Sequence, residues 1–340
     1  MAALAAVTAC SSRDASAPTS PSTKLALDAP LPETVPPNTR LVIGDPITQR
    51  VLQYTGWDKE LPFQVEWTHI QGGPATTEAF SAKAIDLGSA ANMPPIHAQW
   101  VGIPVKIIAL RLHKDPANHP AWVLGVAPTS KVQTTADLRG KKIAFSPGQI
   151  QGEVVLRTLL QHDIPTSAVT LVELPSSGDV YVNALVDHLV DVAPLASGAV
   201  SKRYVDNFGK DGAKLLKHSP FRDDLTVLYV RQETLEDPAK AAALKAYVRL
   251  WARAAAWEET HPEEWARIYW TEIEGLSPAD AVHQIKAYGP RHIPSDWSEA
   301  IAIEQGSIDL LAKETSRQPF NAADIFDRRF EPVAQVALNP

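Results

Sequence analysis

The stretch Ile85-Asp86-Leu87-Gly88-Ser89-Ala90-Ala91-Asn92-Met93-Pro94-Pro95 decides the fold class, because a short apolar run passes through a turn of small residues into prolines. Proline is favoured in the first turn of a helix, where its missing N–H is not needed. The same sequence of strand, turn and helix start recurs at Gly44, Gly72, Ser146 and Pro175. Strands that alternate in this way with longer helical segments are typical of an α/β fold with buried, largely parallel strands.

Hydrophobic periodicity divides the chain at Arg231: strands and helices alternate before it, and only helices are predicted after it. The tryptophans of the second part fall at helical spacing and are expected to pack against a core rather than form a ligand cage. Strands are predicted over 40–44, 63–68, 85–88, 105–111, 122–127, 142–145, 170–173, 191–193 and 226–231. Helices are predicted over 47–54, 75–82, 95–101, 153–161, 179–186, 198–204, 238–260, 262–269, 278–288 and 296–315.

The composition indicates a folded protein that does not bind nucleic acid. Of its 340 residues 45% are hydrophobic and 21% are charged, and no segment approaches the ~20 apolar residues of a membrane-spanning helix. The net charge is −7, and Lys and Arg are interspersed with acidic residues, whereas nucleic acid attracts clustered positive charge. The single cysteine excludes an intrachain disulfide and a cysteine-based zinc site.

The sequence predicts no metal and no cofactor. His97, His113 and His119 lack the spacing of a pair of ligands on one helix, and we expect them to face solvent or cap helices. The acidic pairs at 258–259 and 263–264 fall in predicted helices, where we expect them to form solvated faces.

The N-terminal segment predicts a lipid anchor. Val7-Thr8-Ala9-Cys10 resembles a bacterial lipobox, in which small residues precede a cysteine that is lipidated, and it favours acylation of Cys10. A signal peptide should begin with basic residues, but no Lys or Arg precedes Arg13. The alternative is that Cys10 is an incidental residue of a tail. Residues 11–37 are rich in Ser, Pro, Ala and Thr, and residues 1–38 are predicted to be a signal remnant and an unstructured tether.

The turns that follow the strands predict a binding site. In open α/β sheets such loops gather at the carboxyl ends of the strands, and the free N–H groups of helix starts favour an anion. No Walker or G-x-G-x-x-G pattern is present, which favours an anion or polar small molecule over a nucleotide. The candidate ligand-binding residues are Asp45, Gln49, Gly73, Thr76, Ser89, Ala91, Asn92, Met93, Gly148, Gln149, Ile150, Gln151, Ser177, Ala196 and Ser197.

The segments 72–78, 84–102 and 135–145 resemble the periplasmic substrate-binding proteins of ABC importers for aliphatic sulfonates, taurine and nitrate. The resemblance runs from about Leu41 to the C-terminus. It implies a type II periplasmic-binding-protein fold with two α/β lobes, each a mixed sheet flanked by helices, and with the C-terminal helices on lobe 1. Lobe 1 would comprise 39–125 and 226–340, and lobe 2 would comprise 126–225. It further implies a monomeric, extracytoplasmic protein that binds an organic anion between the lobes and delivers it to permease subunits.

Two departures from the family pattern bear on the ligand. Ala196 and Ser197 stand where the family has Trp and Asp, and the loop after Phe145 differs from that of sulfonate binders. Because a packed interior does not keep large voids, smaller side chains predict a bulkier ligand than taurine. Asp45 can face a ligand or cap the helix that starts at Pro46, and the capping role is favoured.

Two other functions remain open at this point. One is a receptor for a neutral or cationic nitrogen heterocycle, as in the thiamine-pyrimidine binders that are distantly similar. The other is an enzyme similar to the sulfinate desulfinases, which need a cysteine nucleophile. The only thiol is Cys10, outside the predicted folded part, and no G-x-S-x-G elbow is present. We therefore expect no enzyme.

Overall fold

The computed structural model describes residues 24–70, 73–218 and 221–338. Within these residues the chain forms a six-stranded and a five-stranded sheet, which define lobe 1 and lobe 2. The strands are β1 (Arg40–Gly44), β2 (Gln64–Trp67), β3 (Leu87–Ala91), β4 (Val105–His113), β5 (Trp122–Val126), β6 (Lys142–Phe145), β7 (Thr170–Glu173), β8 (Val192–Ala196), β9 (Lys214–Leu216), β10 (Thr226–Arg231) and β11 (Arg291–His292).

Both sheets are mixed. The sheet of lobe 1 has the order β11-β4-β10-β3-β1-β2, in which β1 is parallel to β2 and β3, and β10 is antiparallel to β3 and β4. The sheet of lobe 2 has the order β7-β6-β8-β5-β9, in which β6 is parallel to β7 and β8, and β5 is antiparallel to β8 and β9. The predicted two-lobed α/β architecture is therefore confirmed.

The helices flank these sheets. They are α1 (Pro46–Thr55), α2 (Gly73–Ser81), α3 (Met93–Trp100), α4 (Ile150–Gln161), α5 (Val180–Val186), α6 (Ala199–Phe208), α7 (Gln232–Glu236), α8 (Pro238–Thr260), α9 (Pro262–Trp265), α10 (Pro278–Tyr288), α11 (Ser298–Thr315) and α12 (Glu331–Leu338), with a π-helix over Ala266–Thr271. Within the described part of the chain, no helix is both long enough and apolar enough to cross a membrane.

Two crossing segments carry the chain between the lobes: 114–121 leads from β4 to β5, and 217–225 leads from β9 to β10. Asp223 ties them together, because its carboxylate accepts hydrogen bonds from the backbone N–H groups of Ala121 at 3.1 Å and Trp122 at 2.8 Å. The next residue, Asp224, accepts a hydrogen bond from the backbone N–H of His113 at 2.6 Å. The two crossing segments therefore share one buried joint.

The packed interior differs between the two sides of lobe 2. On one side, Val154 and Leu159 of α4 belong to the same hydrophobic cluster as Leu41 and Leu311 of lobe 1. The other side has a smaller cluster of its own, which includes Leu185 of α5. Lobe 2 is thus joined to lobe 1 by apolar packing through α4, and not through α5.

The predicted limits of the lobes and of the tether need two adjustments. Trp122–Val126 pairs with β8 and β9, so the sheet of lobe 2 begins before the predicted boundary at 125. This strand therefore belongs to lobe 2, and the other limits of the lobes stay a prediction. For residues 24–37 the prediction of an unstructured tether is wrong: Leu31 is buried in the core, and the N–H of Leu25 donates to the carbonyl of Glu236 at 2.7 Å. Residues 1–23, with Cys10, lie outside the described residues.

Most strands and long helices agree with the predictions, and strand bounds such as 142–145 and 226–231 match. Four of these strands and helices were missed: β9, β11, α7 and α12. β11 contradicts the expectation that no strand follows Arg231, since Arg291 and His292 pair with the edge strand β4. A strand of two residues is too short to show a hydrophobic period, and this one forms only because β4 lies beside it.

Candidate functional site

Asp45 lies at the junction of β1 and α1 and acts as the N-cap of the helix. Its Oδ1 accepts a hydrogen bond from the backbone N–H of Thr48 at 3.3 Å, and its Oδ2 accepts one from the hydroxyl of Tyr247 at 3.0 Å. The side chain is buried, which raises the pKa of Asp45, while the bonds from Thr48 and Tyr247 oppose the shift. The predicted capping role is confirmed, and both oxygens are engaged within lobe 1.

The starts of α2 and α3 approach each other closely. A Cβ on Gly73 would lie 2.4 Å from the ring of Pro94, so only glycine permits this approach. Thr76 is buried beside Gly88 at the end of the sheet. Asn92 precedes α3, is buried, and donates from Nδ2 to the hydroxyl of Ser307 at 3.3 Å. Lobe 1 thus gathers these predicted residues at the carboxyl ends of its parallel strands.

The loop before α4 meets α3 across the two lobes. Gly148 has a φ of +74°, and a Cβ there would lie 3.1 Å from Nδ1 of His97. Burial lowers the pKa of His97 and the charge of Arg317 lowers it further, which favours the neutral ring. Within lobe 2, Ser176 donates a hydrogen bond to Oε1 of Gln149. These contacts connect the start of α2 at 73, residues 92–97 at the start of α3, residues 146–151 and the loop at 175–179, and we call this set of residues the cleft.

A buried polar network lies where α4 meets α11, next to Asn92. Oε1 of Glu153 accepts hydrogen bonds from Ser307 at 2.5 Å and from Arg157 at 2.6 Å. Glu304, on the preceding turn of α11, is fully buried, and neither of its oxygens has a hydrogen-bond partner among the described residues. Burial raises the pKa of Glu304 well above its usual value, the Asn92 amide opposes the shift, and the charge of Glu153 adds to it. Arg157 balances the charge of Glu153, and the raised pKa of Glu304 favours its neutral form.

Ser197 lies on the opposite side of lobe 2, between β8 and α6. Its N–H donates to the carbonyl of Ala121 at 2.9 Å, and its own carbonyl accepts a hydrogen bond from Nε2 of Gln284 at 3.2 Å. Its hydroxyl is buried without a partner among the described residues. The structure therefore joins this predicted ligand loop to α10.

The remaining candidates differ in exposure, and their role in binding stays a prediction. Ser177 is exposed on the rim of its loop, whereas Met93, Ile150 and Gln151 are buried at helix starts. Half-buried are Gln49, Gly73, Ser89, Ala91, Gly148, Gln149 and Ala196.

The aromatic residues of the C-terminal helices confirm the predicted packing role. The tryptophans at 251, 257, 265 and 297 are buried. Trp270, within the π-helix, is only half-buried and packs edge-on against Tyr288, with ring centroids 5.7 Å apart. The sequence predicted a packing role for Trp270, and its contact with Tyr288 agrees with that role.

Two expectations about charged residues are wrong. Glu258 is not on a solvated face: it is 3% exposed and bound by Arg111 and Arg291. His113 does not face solvent either, since it is buried and its Nδ1 lies 2.7 Å from the carbonyl oxygen of His119. Across residues 24–70, 73–218 and 221–338, no group of three or more His, Cys, Asp or Glu side chains is arranged to hold a metal ion.

Sequence reasoning missed Gln284, Ser307 and Glu304. A usable signal existed for Gln284: positions 281, 284, 285 and 288 share one face of α10, and Gln284 is the amide among otherwise apolar or aromatic residues there. Ser307 and Glu304 gave none, because their partners come from α3 and α4, far away in the sequence.

Comparisons of the sequence and of the fold with known proteins give consistent results. The family model "NMT1/THI5 like" matches residues 53–265, more than half of the chain. The chain belongs to the NMT1/THI5-like family. A putative aliphatic sulfonates-binding protein of Escherichia coli (strain K12) is 36% identical over 98 residues, which are 29% of this chain and 30% of that protein. The chain thus matches less than a third of the length of this curated relative.

Solved structures share the fold. The alkanesulfonate-binding protein SsuA from Xanthomonas axonopodis pv. citri, bound to MOPS, superposes with a TM-score of 0.70 at 20% identity over 88% of this chain and 99% of that chain. The desulfurization enzyme DSZB superposes with a TM-score of 0.60 at 14% identity over 89% and 99% of the two chains. The resemblance to sulfonate-binding proteins and the type II periplasmic-binding-protein fold are confirmed.

Proposed function

We propose that this protein is the extracytoplasmic solute-binding component of an ABC importer and holds an organic anion in the cleft. The observation that carries the proposal is the convergence of helix starts from both lobes, above all the contact of α3 with the Gly148 loop. Two lobes on a shared joint can close around a solute and present a changed surface to permease subunits.

An anion suits the chemistry of these helix starts. Pro94 and Pro95 at the start of α3 carry no N–H, so the N–H groups at the start of α4 would hold the anion, and the positive ends of both helix dipoles favour negative charge. A relative that binds aliphatic sulfonates and a structure that holds MOPS support a sulfonate group. Because Ala196 and Ser197 are small, we propose a ligand bulkier than taurine.

Calorimetric titration of the purified protein tests both parts of this proposal. The panel consists of ethanesulfonate, taurine, MOPS and an arylsulfonate, with the matching arylcarboxamide as the uncharged control. We expect binding of the larger sulfonates, weak binding of the small ones and none of the amide. Tight binding of only the small sulfonates would contradict the bulkier ligand, and no binding of any anion would contradict the anion receptor.

A neutral or cationic nitrogen heterocycle is the second candidate, and Glu304 favours it. Its buried carboxyl group has no hydrogen-bond partner among the described residues, and a ring nitrogen or amine could donate to its carbonyl oxygen. An aminopyrimidine in the same titrations separates the candidates. Binding of the aminopyrimidine alone would establish the heterocycle receptor instead of the anion receptor.

We propose that no bond is made or broken in the cleft, because none of the residues that form it is a cysteine that could serve as a nucleophile. Incubation with an aromatic sulfinate, monitored for sulfite release, tests this point. Release above the level of the buffer control would contradict it.

We also propose that Cys10 is acylated and holds a monomeric protein at the outer face of the membrane. Expression of the full-length chain and of Cys10→Ser in a bacterium fed a labelled fatty acid tests the anchor. Label should appear in the first protein only, and the Cys10→Ser protein should leave the membrane fraction. Equal label or equal partition would contradict the anchor without affecting the proposed binding function.

A further inference from the structure

The side chain of Gln284 connects lobe 1 to lobe 2 on the side away from α4. Its Oε1 accepts a hydrogen bond from the N–H of Ala199 at 2.8 Å, and its Nε2 donates to the carbonyl of Ser197 at 3.2 Å. The residue is 4% exposed, so both bonds are shielded from water. One amide group therefore spans the step from α10 to the start of α6.

These bonds use groups of the loop that the sequence predicts to bind the solute. Ala199 is the first residue of α6, and its N–H belongs to the first turn, which has no partner within the helix. Gly198 makes the approach possible, because a Cβ there would lie 2.5 Å from Oε1 of Gln284, and its φ is +96°. The loop that resembles a ligand loop is thus occupied by a group of the chain itself.

The opposite side of lobe 2 is held in a different way. There, α4 shares the large hydrophobic cluster with lobe 1, and Ser307 of α11 donates to Glu153. On the α6 side, Gln284 is accompanied by the pair Lys202–Asp280 at 3.0 Å, whose partly exposed charges contribute little. Gln284 therefore provides the buried polar contact on the side where apolar packing does not join the lobes.

We propose that Gln284 is a positioning residue for solute binding: its amide takes the first N–H of α6 in place of the solute and holds the 196–199 loop of lobe 2 against α10 of lobe 1. The inference rests on the proposed binding function only for its effect on affinity. Its effect on the separation of the lobes is independent of what the solute is.

The test compares Gln284→Ala with Gln305→Ala. Gln305 is a matched control, because its Oε1 accepts from the N–H of Ala322 at 2.8 Å and its Nε2 donates to the carbonyl of Phe320 at 3.1 Å, all within lobe 1. Small-angle X-ray scattering measures the radius of gyration without solute, and calorimetry measures the affinity for MOPS. We expect Gln284→Ala to increase the radius of gyration and to weaken binding on the order of tenfold, and Gln305→Ala to change neither.

Two further variants keep the test decisive if Gln284→Ala folds poorly. Gln284→Glu keeps the acceptor and loses the donor, so it should give an intermediate effect, and circular dichroism checks its fold. Gly198→Ala displaces the amide from the other lobe, and its effect should not add to that of Gln284→Ala. An unchanged radius of gyration in the Gln284 variants, or an equal increase in Gln305→Ala, overturns the inference. Absence of MOPS binding in the wild type would instead count against the proposed ligand.

Discussion

Oε2 of Glu258 lies 2.9 Å from Nη1 of Arg111, and both side chains are enclosed in lobe 1. Arg291 donates to the same oxygen at 2.8 Å. Removing one charge of a buried ion pair costs more than the pair contributes, because the remaining charges lose their partner without regaining water. We expect Glu258→Gln to lower the free energy of unfolding by about 3–5 kcal/mol, measured by urea denaturation. Glu263→Gln, at an exposed site, should change it by less than about 0.5 kcal/mol, and equal values for both variants would contradict the buried cluster.

Variants of Asp45 distinguish a capping role from contact with a ligand, because both oxygens of the carboxylate are engaged within lobe 1. We expect Asp45→Ala to lower the free energy of unfolding by about 1–2 kcal/mol and Asp45→Asn to keep most of it, since asparagine also caps helices. Calorimetry should give Asp45→Asn an affinity within about twofold of the wild type. Asp237→Ala, which removes the exposed N-cap of α8, serves as the control for loss of a cap alone. A large loss of affinity in Asp45→Asn would show that this carboxylate contacts the ligand.

Glu304 should make stability depend on pH. Its pKa is raised in the folded protein by burial, so the folded state keeps a proton that the unfolded state releases. The free energy of unfolding therefore falls as pH rises from the ordinary glutamate range to the raised pKa, by up to about 1.4 kcal/mol per pH unit. Glu304→Gln should remove this slope, and the exposed control Glu314→Gln should not. Parallel curves for wild type and Glu304→Gln, measured by denaturation across pH, would rule out the raised pKa.

Asp223 should control the joint between the lobes. Its carboxylate accepts from two backbone N–H groups of one crossing segment and lies 2.8 Å from Nε2 of His218 in the other. Asp223→Ala leaves those part-buried donors unpaired, and we expect the free energy of unfolding to fall by about 1–3 kcal/mol together with a wider distribution of lobe separations by scattering. The exposed Asp187→Ala serves as the control. A stability loss without any change in scattering would limit Asp223 to a local structural role.

Much of the fold follows from local pattern. The run Lys-Ile-Ala-Phe at 142–145 and the proline that opens α8 give their elements directly, because period and capping depend on neighbours in the chain. β11 could not be predicted this way, since it exists only beside β4. The prediction that Glu258 faces solvent was wrong for a related reason. Its position predicts a helix, but Arg111 and Arg291, which enclose its side chain, come from distant parts of the sequence.

The candidate site divides along the same line. Asp45 as a cap and the turns at 73 and 148 could be recognised from residue types, because capping and glycine turns are short-range chemistry. Gln284, Ser307 and Glu304 could not, because each is defined by a contact between elements that only the folded chain brings together.

The sequence by itself determined an α/β protein with recognisable helix starts, because hydrophobic period and turn chemistry act over a few residues, and its family resemblance predicted the two lobes. Only the tertiary structure decided which of these helix starts are already occupied by side chains of the protein itself. Packing places the amide of Gln284 on the first N–H of α6 and buries Glu304 beside Glu153, and these choices depend on the distances between lobes, which no local pattern encodes.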